Sequence, residues 1–239
     1  MVDWSKLPDL AAVAALTCAF ASVARRGQTT TSRHWLMGWV LIAVHFAASI
    51  FRFSPGLWGT LAGDTGLISL AAAGVVFMWA SVPYRMERSS QWMLASLLGT
   101  NMVYIILLGS EHPAVWALDI AAVLFGAAPL AIALGARRNF THVLRWLLVG
   151  LYCVLSVFLL AFQNRPGNGL ALAANAVLFA VYFGCCIHVW YSYRGRGSAG
   201  SLISIIGFMG WAAVFVVGPF VNSFAPAARI ETEVWNLPK

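Results

Sequence analysis

Five side chains able to hydrogen-bond or carry charge interrupt otherwise apolar runs: His45, Asn101, Tyr104, Asp119 and Asn175. A polar group is costly inside a bilayer, so each such residue either serves a site or finds a partner on a neighbouring helix. As a site, Asp119 would supply an anion and His45 a titratable imidazole. Asn101, Tyr104 and Asn175 would form the hydrogen-bonding walls of a ligand pocket. The alternative is that these residues pair with one another or with backbone and only join helices. Arg52, Asp64 and Gln163 stand nearer the ends of their runs, at the rim.

Several other chemistries are disfavoured. Bis-histidine haem ligation needs two imidazoles at matching depth on adjacent helices, and His45 has no such partner. His34 and His142 lie at the opposite interface, His188 near the opposite end of its run, and His112 in a connection. No close His, Cys and carboxylate cluster has metal-ligand spacing, and no cofactor is expected. No apolar run contains a lysine, which excludes a retinal Schiff base. Phosphate-loop, nucleophile-elbow and metalloprotease patterns are missing from the sequence. Cys18, Cys153, Cys185 and Cys186 all fall inside apolar runs, where buried free thiols are expected rather than a disulfide framework.

The elements that must position these residues are long apolar segments. Eight runs, roughly 8–24, 34–53, 63–82, 91–109, 114–134, 141–162, 168–191 and 200–221, meet the requirement for a membrane span. About 20 apolar residues cross a hydrocarbon core ~30 Å thick. Hydrophobic residues make up 61% of the chain and charged residues 10%. Soluble domains carry about 25% charged residues, so a soluble fold is excluded. The expected class is an all-α integral membrane protein, a bundle of about eight transmembrane helices. The first twenty residues lack a basic leader region, and Asp3 and Asp9 precede the first run, so that run reads as a span rather than a signal peptide.

Turn-like connections separate the runs, among them Ser54-Pro55-Gly56, Glu111-His112-Pro113 and Pro166-Gly167. None is long enough to hold a soluble domain. Residues 1–222 are therefore expected to form the bundle, and 223–239 an exported interfacial segment that leads toward a further span. Small residues such as Ala11, Ala12, Ala71, Ala72, Ala73, Gly207 and Gly210 suit close helix approach in lipid. Pro129 should kink the fifth span.

Arginine placement orients the bundle. The chain has 15 Lys and Arg residues. Ten of them occupy alternate connections: Arg25, Arg26 and Arg33; Arg85 and Arg88; Arg137, Arg138 and Arg145; Arg194 and Arg196. Short cytoplasmic loops carry such an excess, and exported ones do not. The net charge of +7 is thus a topology signal and a contact with the lipid bilayer, not a nucleic-acid site. Arg138, His142 and Arg145 share a helical face suited to headgroup contact. Tryptophans agree: Trp4, Trp35, Trp58, Trp92, Trp116, Trp146, Trp190 and Trp235 lie near run ends, as an interfacial belt requires. Both chain ends are expected outside, in a multi-pass protein of the bacterial inner (plasma) membrane.

With direction assigned, depth follows from a rise of ~1.5 Å per residue. His45 and Asn101 come about 12 Å below the outer surface, Asp119 about 7–8 Å and Asn175 about 10 Å, with Tyr104 one turn above Asn101. All therefore fall in the outer half, where a pocket open to a small exported ligand would lie.

The segment Arg229-Ile230-Glu231-Thr232-Glu233-Val234-Trp235-Asn236-Leu237-Pro238-Lys239 adds a resemblance. It resembles a stretch near the end of the N-terminal multi-span sensor region of bacterial signalling proteins, through Glu231 or Glu233, Trp235, Asn236, Pro238 and Lys239. In that family one more span usually follows, then a cytoplasmic output domain, often a GGDEF-type diguanylate cyclase. The resemblance implies a signal-input module that acts on a dimeric output. Neither the further span nor the output domain lies within these 239 residues, and no catalytic residue carries over. Two alternatives from other classes stand beside it. An intramembrane lipid hydrolase would need Asp119, Asp64 and His45 around one bond. A small transporter or assembly subunit would usually show inverted repeats and broken helices, of which only Pro129 gives a hint.

Overall fold

The computed structural model describes residues 3–27, 30–81, 88–109, 114–135, 143–164, 169–196 and 199–224. They form a short 3-10 turn at Trp4–Lys6 and eight α-helices: α1 Leu7–Gly27, α2 Thr30–Phe51, α3 Leu57–Ser81, α4 Arg88–Gly109, α5 Val115–Gly135, α6 Val143–Phe162, α7 Gly169–Arg196 and α8 Ala199–Phe224. No strand occurs among the described residues. Each of the eight apolar runs is helical, with ends displaced by a few residues from those read in the sequence.

Among the described residues, five helices are long and apolar enough to cross a membrane: Leu7–Arg26, Thr31–Phe51, Leu57–Ser81, Val115–Gly135 and Gly169–Trp190. Shorter apolar stretches occupy Ala95–Leu108, Trp146–Phe162 and Leu202–Gly218. The outward faces support a membrane environment. Val154, Val157 and Ile203 are each 68–70% exposed, and Ile106 and Ile120 are more than half exposed. Such a continuous apolar exterior would drive aggregation in water, whereas lipid solvates it. Helices also satisfy their backbone groups internally, as a hydrocarbon solvent demands. Trp4, Trp58, Trp92 and Trp116 are likewise strongly exposed, at or near helix ends. The protein is an all-α membrane protein.

The chain divides into two compact units, the first holding α1–α3 and the second α4–α8. In the first, α2 lies along α3, and α1 packs on α2. Ala71, Ala73, Val75 and Met78 of α3 are buried. Phe77 of α3 meets Trp35 and Trp39 of α2 at 5.1 and 5.6 Å between ring centroids, and Phe20 of α1 meets Trp39 at 5.7 Å. Asp3 N–H donates to the Ile50 carbonyl at 2.8 Å, tying the N-terminus to the end of α2. The turn after α2 uses Gly56 at φ 70°, a left-handed conformation that glycine adopts without a steric cost.

In the second unit, α5 packs on α4 and α6, α7 on α6, and α8 on α7, with a smaller contact between α4 and α7. The core contains Tyr104, Leu118, Phe125, Tyr152, Leu155, Leu159 and Val177. At Gly126, α5 lies close against α6. A Cβ there would lie 3.1 Å from that of Ser156 and 3.3 Å from the Cα of Cys153. α5 continues helically through the buried Pro129. Tyr182 of α7 stacks on Trp211 of α8 at 5.4 Å and holds that pair together. All four cysteines are free thiols. Of the small residues, Ala71 and Ala73 are buried, but Gly207 and Gly210 are exposed, with nothing near enough to crowd a side chain.

Arg85, Arg137, Arg138, His112, His142 and the segment 225–239, with its resemblance to sensor regions, lie outside the described residues. So does the side chain of Arg145.

Candidate functional site

The second unit assembles a buried polar relay from three places in the chain. Tyr104 lies on α4, Asp119 in the second turn of α5, and Gln163 one residue beyond α6. Gln163 N–H still donates to the Leu159 carbonyl at 2.9 Å, so helical geometry fixes where its side chain starts. Tyr104 Oη donates to Gln163 Oε1 at 2.7 Å. Gln163 Nε2 donates to Asp119 Oδ1 at 2.6 Å. Asn164 Nδ2 reaches the same oxygen at 3.5 Å, a marginal contact.

The chemistry of the groups fixes the direction of this relay. An ionised carboxylate can only accept, so the amide nitrogen of Gln163 must face Asp119. Its carbonyl oxygen must then face Tyr104, whose hydroxyl hydrogen completes the run. Each dipole points toward the carboxylate, and the short Gln163–Asp119 bond is of the charge-assisted kind. Tyr104 and Gln163 are essentially inaccessible, while Asp119 is half-buried. The ring of Tyr104 is held edge-on against Phe125 of α5 at 5.6 Å.

Asn101 sits on the same side of α4, one turn from Tyr104, and is also buried. Neither its Nδ2 nor its Oδ1 has a hydrogen-bond partner among the described residues. An unsatisfied buried polar group costs about 1–3 kcal/mol, which makes Asn101 the most anomalous polar residue of this unit.

The other two candidate residues are held differently. His45 belongs to the first unit, where its Nδ1 lies 2.8 Å from the Gly66 carbonyl. A carbonyl only accepts, so Nδ1 carries the proton. Ser69 Oγ donates to the same carbonyl at 3.0 Å, and Ser49 Oγ donates to the His45 carbonyl at 2.8 Å. His45 thus bonds across the α2–α3 interface. Asn175 turns back on its own helix, with Nδ2 donating to the Ala171 carbonyl at 2.8 Å. The structure therefore links Tyr104 and Asp119 and places Asn101 one turn away. It holds His45 in a backbone contact of the other unit and gives Asn175 a bond within α7.

Gln163, taken in the sequence for a rim residue, is the bridge of the relay. Two signals point to it. It is a polar residue at the end of span 6, beside the start of span 5, and Asp119 stands about one turn inside that start. Arg52, another rim residue, extends over the Phe53 ring at 5.8 Å. No group of three His, Cys, Asp or Glu side chains able to hold a metal ion occurs among the described residues.

No family model, curated protein or solved structure matches this chain.

Proposed function

We propose that the chain is a membrane-embedded signal-input module of eight crossings in the bacterial inner membrane. Arg25, Arg85, Arg137 and Arg194 with their basic neighbours lie on the cytoplasmic side, and residues 1 and 239 on the exported side. A small exported ligand meets the end of the second unit that carries Asp119. The response passes through helix shifts to a dimeric cytoplasmic output such as a diguanylate cyclase.

The observation that carries this reading is the Tyr104–Gln163–Asp119 relay. It ties α4, α5 and the end of α6 through side chains alone and ends in a half-buried carboxylate. A ligand that engages Asp119 competes for the hydrogen bond of Gln163, and Tyr104 on α4 then loses or changes its partner. Charge at one helix is thereby converted into a packing change at another. The alternating arginines and the resemblance of residues 229–239 to sensor regions support the direction and the output.

The test is the cyclic diguanylate content of bacteria that express the full coding sequence containing this segment. Asp119→Asn should change that content several-fold at equal membrane abundance. An unchanged content overturns the reading, as does a coding sequence that stops at Lys239 with no cyclase responding to the chain.

A further inference from the structure

A groove of about 300 Å³ runs between α6, α7 and α8, apart from the relay residues. Phe158, Phe179 and Phe215 line it, and Asn175 is the one polar side chain in its wall. Its α7 wall extends from Leu172 to Ala180, a distance of about 12 Å at the helical rise. Asn175 stands one turn from the Leu172 end, and only apolar side chains lie beyond it toward Ala180. The groove therefore carries its one polar side chain nearer the end where α7 begins and is apolar elsewhere.

That gradient is the polarity of a single-chain amphiphile standing along the helices. The volume agrees. A cavity of roughly 150 Å³ encloses a six-carbon ring, so about twice that holds a chain of about a dozen carbons. The polar contact sets the head. Asn175 Nδ2 is already committed to Ala171, while no donor among the described residues reaches its Oδ1. An acceptor at the polar end selects a head that donates a hydrogen bond. Two groove residues, Val154 and Val216, are exposed on the outward face of the unit, which gives lateral entry from lipid. We propose that this groove is a second binding site, for a single-chain lipid with a hydroxyl head, its oxygen donating to Asn175 and its tail lying against Phe179 toward Ala180.

The test uses the purified full chain in nanodiscs of phosphatidylethanolamine and phosphatidylglycerol. The probe is dodecanol with a photoactivatable diazirine on its terminal carbon. Crosslinks are expected on the α7 wall near Phe179 and Ala180, and Val154→Trp, which fills the mouth from a lipid-facing position, should abolish them. Unlabelled dodecanol should compete about fivefold better than dodecyl methyl ether, which cannot donate, and Asn175→Leu should erase that preference. Label spread over other lipid-facing residues such as Ile106 and Ile120, and indifferent to Val154→Trp, overturns the site. Equal competition by alcohol and ether on the native chain overturns the hydroxyl head. Neither result touches the cyclic diguanylate measurement, so this proposal and the input-module reading fail separately.

Discussion

His45 and Asp119 are the two most chemically capable residues of the apolar runs, and the two units treat them in opposite ways. In the first unit, His45 bonds a backbone carbonyl that Ser69 also bonds. That contact joins α2 to α3, and its acceptor keeps a partner if the imidazole is lost. In the second unit, Asp119 ends a run of side chains from three places, in which Gln163 alone serves both neighbours. A seam built on backbone is redundant and local. A relay built on side chains has a single point of failure and transmits its loss from α5 to α4. The difference separates a residue that fastens two helices from one placed to report on its surroundings.

Gln163→Leu should have the largest effect. It removes both hydrogen bonds at once, leaves the buried Tyr104 hydroxyl unsatisfied and leaves the half-buried Asp119 carboxylate only the marginal contact with Asn164. A loss of about 3 kcal/mol is expected in reversible detergent unfolding, because unpaired groups cost about 1–3 kcal/mol each and charged ones more. Tyr104→Phe should cost less, about 1–2 kcal/mol. The ring and its contact with Phe125 survive, and only Gln163 Oε1 loses its donor. Combined with Asp119→Asn, it should show a coupling of about 0.5 kcal/mol or more in a double-mutant cycle, as members of one network do. Strict additivity would reduce the relay to two independent contacts.

A smaller effect is expected at His45. His45→Leu leaves the Gly66 carbonyl with the Ser69 hydroxyl and conserves apolar packing against Phe46. A loss of about 1 kcal/mol or less is expected, the worth of one net hydrogen bond. A loss as large as that of Gln163→Leu would show that the α2–α3 seam is no more redundant than the relay, and the contrast would fall.

The sequence made the helices legible because one variable controls them. Run length against bilayer thickness defines where a span starts and stops, and all eight runs became helices. The Ser54-Pro55-Gly56 turn was legible too, since a left-handed residue is glycine's common task. The sequence marked the polar residues of the site but not their partners. Distance from a run's end gives an expected height and no azimuth, so it could not tell that Asp119 bonds Gln163 while Asn175 bonds its own helix. Asn175 could satisfy its amide locally, because a helical polar side chain can donate to the carbonyl four residues back. Gln163 was misplaced for the converse reason. It lies just past the last turn of α6, where a rim position is expected, yet it faces inward and is buried. The division into α1–α3 and α4–α8 was not legible in the sequence, where every connection is too short to mark a domain boundary.

The smallest effect, and the only one of opposite sign, belongs to Asn101→Leu. The substitution nearly conserves shape in a core that already surrounds the residue, so little cavity or overpacking is created. In the native chain both polar atoms of Asn101 are buried without a partner among the described residues. Replacing them with methyl groups removes an uncompensated desolvation cost of about 1–3 kcal/mol, part of which the imperfect fit of Leu takes back. A net gain of up to about 1 kcal/mol is therefore expected in the same unfolding measurement. If stability falls instead, Asn101 is satisfied by a buried water or another group. The polar path would then continue one turn past Tyr104 and the relay would have four members. The sign alone decides between these, since a satisfied amide cannot be deleted at a gain unless its partner is removed with it.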